Sequence, residues 1–332
     1  MLKKKHLAAL ASVALLAAIP ACGSDDGTGS SSSSGAASGG DGKLTMGFAQ
    51  VGAESGWRTA NTTSIQDSAK ESDVDLKFSD AQQKQENQIK AIRSYIQQKV
   101  DVIAFSPVIE SGWDAVLNEA KRAKIPVILT DRAVDSKDTS LYKSFLGSDF
   151  VKEGNKAGEW AVKEFADAKE VNIAELQGTT GSAPATDRKQ GFTDVISKDP
   201  KFKITQSQTG EFTRAKGKEV MEAFLKSGKP IDLLFAHNDD MALGAIEAIE
   251  GAGKVPGKDI KIVSIDAVKD GMQALADGKI NYIIECSPLL GPQLMDLAKK
   301  VTAGEEVPAR IETEEGEFDQ AQAKEALPTR QY

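Results

Sequence analysis

Short apolar runs alternate with amphipathic stretches along most of this chain, and that alternation predicts a parallel α/β protein. The stretch 125–134, Ile-Pro-Val-Ile-Leu-Thr-Asp-Arg-Ala-Val, shows it most plainly. Its unbroken apolar run reads as a strand buried on both faces of a sheet. Upstream, Lys43–Val51 reads as the first strand and runs into a small-residue loop holding one large aromatic, Trp57. Thr63–Ser72 predicts a helix and Val74–Ser79 a second strand. Gln82–Gln98 carries Ile89, Ile92, Tyr95 and Ile96 on one helical face. Val100–Pro107 then predicts a third strand, and Trp113–Ala123 the helix before Ile125.

The series then restarts. Strands are expected at Val171–Gln177, Phe202–Thr209, Asp232–His237, Lys258–Asp266 and Ile280–Cys286. Helices are expected at Thr186–Ser197, Arg214–Ser227, Met241–Gly251, up to Leu275, and at Pro292–Ala303. An extended piece over Ala309–Glu317 precedes the tail. The two series resemble each other: strand, helix and strand lead to Asp131 in one and to Asp266 in the other. Asp101 to Asp131 spans 30 residues, and Asp232 to Asp266 spans 34. Two similar lobes, each ending a buried strand in an acid, predict a cleft between them. Ligands of open α/β sheets bind at such carboxyl ends, and small-molecule pockets favour domain interfaces.

Several segments resemble a known family. They are Ile-Pro-Val-Ile-Leu-Thr-Asp-Arg (125–132), Ala-Thr-Asp-Arg-Lys-Gln-Gly-Phe (185–192), Phe-Ala-His-Asn-Asp-Asp-Met-Ala-Leu-Gly-Ala (235–245) and Val-Ser-Ile-Asp (263–266). With them the chain resembles the ribose/galactose-type solute-binding proteins of ABC importers, from residue 43 to about 320. Segments 50–58, 82–89 and 211–221 are similar to the galactofuranose-binding branch of that family. The resemblance implies the type I periplasmic-binding fold: two Rossmann-like α/β lobes with parallel sheets, joined by a three-crossing hinge. It places the first lobe at 43–148 plus 287–315 and the second at 149–286 plus 316–332, with crossings near Ser148, Ser287 and Glu315.

The resemblance also implies a sugar site. Asp131 and Arg132 of the first lobe, and Arg188, Asn238 and Asp266 of the second, would bond ring hydroxyls. Glu285 stands where relatives often have Gln. Trp57 would lie against the apolar face of the ring, with Glu54 and Arg58 beside it. The chemistry is apt on its own terms. Hydroxyls donate and accept at once, so a sugar site needs amides, carboxylates and guanidinium groups in mixed array, and an aromatic plane for the C–H face.

Other motifs carry less. His237-Asn238-Asp239-Asp240 reads as a strand–helix junction with Asp239 or Asp240 as helix cap, not as a metal cluster. Gly178-Thr-Thr-Gly181 lacks the Lys-Ser/Thr of a phosphate loop and reads as a loop lining the cleft. The acidic run Glu312–Glu317 is expected to be a solvated strand edge, and Cys286 a buried, inert thiol.

The amino-terminal region adds a location. Lys3–Lys5, an apolar core over Leu7–Ile19 and small residues before Cys22 resemble a bacterial lipoprotein signal, 1–22, with Cys22 as lipid acceptor. Residues 23–42, rich in Ser, Gly and Asp, are expected to be a flexible tether. A net charge of −8 and a length of 332 residues fit two globular lobes and carry no basic nucleic-acid footprint. No nucleophile–base pair, metal set or dinucleotide fingerprint is visible, so neither catalysis nor a cofactor is expected. The reading is a monomeric, extracytoplasmic, lipid-anchored receptor that traps a monosaccharide and delivers it to an ABC permease. The alternative is a sugar or autoinducer sensor signalling to a membrane partner.

Overall fold

A computed structural model describes residues 42–332. The lipoprotein signal, Cys22 and nearly all of the tether lie outside the described residues. The first series of strands and helices comprises β1 (Thr45–Gln50), α1 (Gly56–Glu71), β2 (Asp75–Asp80), α2 (Gln85–Gln98), β3 (Val102–Phe105), α3 (Asp114–Arg122), β4 (Val127–Thr130) and β5 (Ser144–Gly147). The second comprises α4 (Phe150–Glu164), β6 (Val171–Gln177), α5 (Ala183–Ile196), β7 (Phe202–Thr209), α6 (Arg214–Lys226), β8 (Leu233–Ala236), α7 (Asp239–Gly251), β9 (Lys261–Asp266), α8 (Lys269–Ala276) and β10 (Tyr282–Glu285). The chain then runs through α9 (Gly291–Thr302), β11 (Arg310–Glu312), β12 (Glu317–Phe318) and α10 (Gln320–Ala326).

The strands form two sheets of matching order, β2-β1-β3-β4-β5-β11 and β7-β6-β8-β9-β10-β12. Pairing is parallel except for β12, which closes its sheet antiparallel to β10. The internal repeat is therefore structural, and it extends to single bonds. Asp101, just before β3, accepts from the Thr45 amide of β1 at 2.7 Å, and Asp232, just before β8, accepts from the Asn172 amide of β6 at 2.7 Å. The central strands β3, β4 and β8 are buried along their whole length, as strands covered by helices on both faces must be. In the first lobe one face packs Ile92, Phe105, Trp113 and Leu117, and the other Phe48, Ile65, Leu294 and Met295. In the second lobe Met221, Ile249 and Met272 fill one face, and Phe192, Phe235 and Ile284 the other.

Three elements, β5, α4 and α10, lie where the sequence pattern assigns none. Three glycines explain why the apolar face of α4 is narrow. A Cβ at Gly154 would lie 2.2 Å from the Arg188 carbonyl oxygen, and one at Gly191 would lie 2.1 Å from that of Val151. One at Gly158 would meet the Val195 side chain at 2.7 Å. The helices α4 and α5 approach backbone to backbone, with little need of large apolar side chains.

The chain passes between the sheets three times, after β5, after β10 and after β11. One acid ties these crossings together. Glu315 accepts from the Ser148 hydroxyl, from the Ser287 amide at 3.2 Å and from the Thr313 hydroxyl at 2.8 Å. The acidic run is thus not uniformly solvated: Glu312 and Glu314 are exposed, whereas Glu315 turns inward. Glycine at the α4–α5 contact has a testable consequence. Gly154→Ala forces these backbones apart and should cost roughly 1–3 kcal/mol in urea unfolding, the usual cost of overpacking. An unchanged unfolding midpoint would contradict this packing.

Candidate functional site

The first-lobe half of the site is built on strand ends and on the first turn of α1. That helix begins at Gly56, several residues earlier than the hydrophobic pattern suggests, so Trp57 and Arg58 are helical, not loop, residues. Ser55 caps it, accepting from the Arg58 amide at 3.1 Å. Arg58 then reaches Asp131 at the end of β4, with Nη2 and Oδ2 2.6 Å apart. The same carboxylate oxygen accepts from the Ser106 hydroxyl at 2.9 Å. Glu54 accepts from Arg132, and Arg58 approaches the same Glu54 oxygen at 3.4 Å. Asp131 holds a left-handed backbone, φ 60°, which turns the chain sharply at the strand end. Its neighbour in β5 must be glycine: a Cβ at Gly147 would sit 2.9 Å from the Asp131 carbonyl oxygen.

The second-lobe half repeats the idea. Asp266 ends β9, again with positive φ, at 126°. Arg188 projects from α5, donates to Glu153 of α4 at 2.7 Å and to the His237 carbonyl at 2.6 Å, and stands 3.8 Å from Asp266. Asn238 is the helix cap of α7, accepting from the Met241 amide at 3.0 Å, which corrects the assignment of that role to Asp239 or Asp240. Its amide nitrogen donates to the Phe212 carbonyl at 3.2 Å. His237 is buried beneath the site: Nδ1 accepts from the Gly178 amide at 3.4 Å, which leaves the proton on Nε2 for Glu175 at 3.2 Å. Burial holds its pKa below the ordinary histidine value.

These halves border a cavity of about 20 Å³, little more than a single water molecule needs, so a larger guest requires the halves to part. Glu54, Trp57, Arg58, Asp131, Arg132, Arg188, Asn238 and Asp266 all line it. Glu285 does not. Its carboxylate accepts from the Gly316 amide at 2.8 Å and from the Tyr332 hydroxyl at 2.8 Å, and it pairs with Arg330 at 2.7 Å. β10 is covered there by β12 and the carboxyl tail, and these bonds hold Glu285 away from the cleft. Trp57 has a second task, since its Nε1 donates to the Cys286 carbonyl at 2.6 Å beside the hinge.

Four more residues line the cavity without having been singled out for it: Ser55, Pro184, Phe212 and Cys286. Phe212 matters most. Its ring lies 5.2 Å from the Arg132 guanidinium of the opposite lobe and 5.9 Å from that of Arg188, so one aromatic plane faces cations from both lobes. Glu211 and Phe212 both hold positive φ, 56° and 60°. Apolar periodicity cannot anticipate a turn of that kind.

The electrostatics are concentrated. Three arginines face three carboxylates on the cavity walls, all but removed from water. Burial raises the Asp266 pKa well above the ordinary carboxylate range, against the pull of Arg188 and with repulsion from Asp239, Asp240 and Glu153. The Cys286 thiol is pushed up by burial and then by Glu153 and Glu315, so it stays protonated and unreactive. Among the buried polar atoms left without a hydrogen bond are Glu54 Oε2, Asp266 Oδ2 and Arg132 Nε, the last 3.7 Å from Asp131. Unsatisfied buried groups each cost about 1–3 kcal/mol. Two acceptors and a donor, drawn from both lobes, thus lack hydrogen bonds on residues that line the cavity.

Two α/β lobes closing on a cavity of this kind define a solute-trapping binding protein. The chain belongs to the periplasmic binding protein domain family, whose model matches residues 46–306. It is 49% identical over 271 residues to the galactofuranose-binding protein YtfQ of Escherichia coli (strain K12), covering 81% of this chain and 85% of that protein. A crystal structure from Mycobacterium smegmatis in complex with β-D-fucofuranose is 67% identical, covers 87% of this chain and 95% of that one, and superposes with a TM-score of 0.86. The binding component of the arabinose ABC transporter of Shewanella sp. ANA-3, bound to α- and β-L-arabinofuranose, is 50% identical. It covers 87% of this chain and 96% of that one, with a TM-score of 0.84. Members of this family bind and transport solutes; the chain is not an enzyme.

Buried Glu153 gives the site a pH signature. Burial pushes its carboxyl up to about 8, opposed by Arg188 and helped by Glu315. Above the ordinary carboxyl range and below pH 8, the native chain keeps a proton that the unfolded chain releases. This group therefore makes stability fall as pH rises from about 5 to 8. Glu153→Gln removes that titration, so urea unfolding should show a flatter pH profile than the parent over this window. A profile with the parent's slope would contradict the assignment.

Proposed function

We propose that the chain is the lipid-tethered receptor of an ABC importer that captures a monosaccharide in its furanose form, galactofuranose or a related hexose or pentose, and delivers it to a membrane permease. The observation that carries this reading is the convergence of orphaned polar atoms from both lobes, Glu54 Oε2, Arg132 Nε and Asp266 Oδ2, on one cavity walled by Trp57 and Phe212. The walls carry equal numbers of cationic and acidic side chains, which suits a neutral guest better than an ion. Ring hydroxyls satisfy the orphaned atoms, and the C–H faces lie against the two aromatic rings. The furanose sugars named for YtfQ and for the two structures narrow the class further.

In this reading Asp131, Arg132 and Glu54 grip the sugar from the first lobe, and Arg188, Asn238 and Asp266 from the second. Arg58 acts chiefly through Asp131, which it holds in place. Glu285 has no direct part. The guest favours the closed state because only that state offers it both halves of the shell. The protein works as a monomer, held to the outer face of the membrane through acylated Cys22. Loss of labelled-sugar uptake on deletion of the gene separates import from sensing.

Calorimetry against galactose, fucose, arabinose, ribose, fructose and glucose tests the ligand class. We expect binding of sugars that populate furanose forms, and the anomeric carbon of bound ¹³C-labelled sugar should show a furanose chemical shift. No binding across the panel, or a bound pyranose, would overturn the reading. Arg188→Ala removes a charged hydrogen-bond donor to the sugar, so it should cost roughly 1.5–3 kcal/mol of affinity, about tenfold to a hundredfold in Kd. Wild-type affinity in that variant would remove Arg188 from the site. Cys22→Ser should move the protein from the membrane fraction to the soluble fraction, and continued membrane association would exclude the anchor.

A further inference from the structure

We propose that Asp240 is a latch that sets how long the lobes stay closed, by capping the amino terminus of α1 from the opposite lobe. The inference rests on the sugar-trapping reading and adds to it a residue that positions the two halves of the site without lining the cavity. α1 carries Trp57 and Arg58 on its first turn, and its first amide is that of Gly56. The first four N–H groups of a helix have no partner within it. Ser55 satisfies the Arg58 amide, and the Gly56 amide donates across the cleft to Asp240 Oδ2 at 2.8 Å. Glycine leaves room for that approach, since a Cβ at Gly56 would already stand 3.4 Å from the same oxygen.

The pairing joins different bodies. α1 packs on α9 in the first lobe, and α7, which carries Asp240, packs on α6 and α8 in the second. A carboxylate at a helix amino terminus also gains from the helix dipole, an interaction that counts for more out of water. Asp240 is 7% exposed. Within its own lobe it has only a loose ion pair, 3.5 Å from Arg214 Nε, and Arg214 is itself held by Asp270 at 3.0 Å. Its neighbour Asp239 serves a different purpose, accepting from Ser264 and from the Val268 amide at 2.8 Å inside the second lobe.

Opening the cleft returns the Gly56 amide to water and leaves Asp240 with Arg214. The bond thus stabilises the closed state alone and should act on ligand escape rather than on encounter. Another cross-cleft bond, from the Glu110 amide to the Gly181 carbonyl at 2.9 Å, is wholly backbone and remains in any side-chain variant at position 240.

The test is a double-mutant cycle on ligand dissociation. The bound sugar is galactose, fucose or arabinose, as selected by calorimetry of the wild type, and the signal is intrinsic tryptophan fluorescence in stopped flow. Asp240→Ala deletes the acceptor. Replacing Gly56 by its ester analogue glycolate, introduced by nonsense suppression, deletes the donor without adding bulk beside the carboxylate. Each should raise the dissociation rate about tenfold, the effect of losing one charge-assisted hydrogen bond, with the association rate within about twofold of wild type. Asp240→Asn, which keeps an acceptor and loses the charge, should fall between. The double variant should dissociate no faster than either single one, since both remove the same bond. Unchanged dissociation rates, or single effects that multiply in the double variant, would overturn the latch. Failure of the wild type to bind any of the three sugars would instead overturn the reading on which it rests.

Discussion

Three arginines and three carboxylates share one small cavity, and each is tolerable out of water only because the others are present. Moving a single ion of this kind from water into a protein interior costs several kcal/mol, and only close pairing with full hydrogen bonding repays it. Arg58 on Asp131 and Arg132 on Glu54 supply that pairing, and Arg188, 3.8 Å from Asp266, is held from behind the cavity wall by Glu153. Much of the rest of the molecule serves to bring these charges together. The parallel strands place Asp131 and Asp266 at equivalent ends of the two sheets, and glycine at 147, 154 and 191 lets the backbones behind them approach. The hinge acid Glu315 gathers the three crossings immediately behind Arg188 and Cys286.

The pairing is also incomplete, and its incompleteness is functional. Within each lobe the charged groups orient one another, so a guest meets side chains already fixed in place. Across the cleft some buried valences stay unfilled, and their cost weighs on the closed state until a ligand arrives. In the function proposed above, a ring bearing hydroxyls on its rim and C–H groups on its faces fills them. Closure then follows from the ligand's own contacts, because only the closed form contains the whole shell.

Much of this was legible in the sequence. A buried strand running into Asp131-Arg132, with its echo at Asp266, located both halves of the cavity, because strand periodicity and strand-end chemistry are local properties. What escaped depends on contacts distant in sequence. Glu285 follows the same strand logic, yet the carboxyl tail, through Arg330 and Tyr332, fixes its carboxylate away from the cleft. Phe212 enters the cavity through two consecutive left-handed residues, a turn with no apolar signature. Glu315 looks solvated inside an acidic run and is drawn inward by three crossings that meet only in the folded chain. The cap of α7 falls on Asn238 rather than on Asp239 or Asp240, which leaves Asp240 to reach the other lobe.

Small-angle X-ray scattering of the protein with and without a saturating furanose-forming sugar reads the closing of the cleft. If the unfilled buried valences hold the empty cleft open, the radius of gyration must fall when the sugar binds. An identical scattering profile in the empty and saturated states, with binding verified by calorimetry in the same samples, would contradict the account.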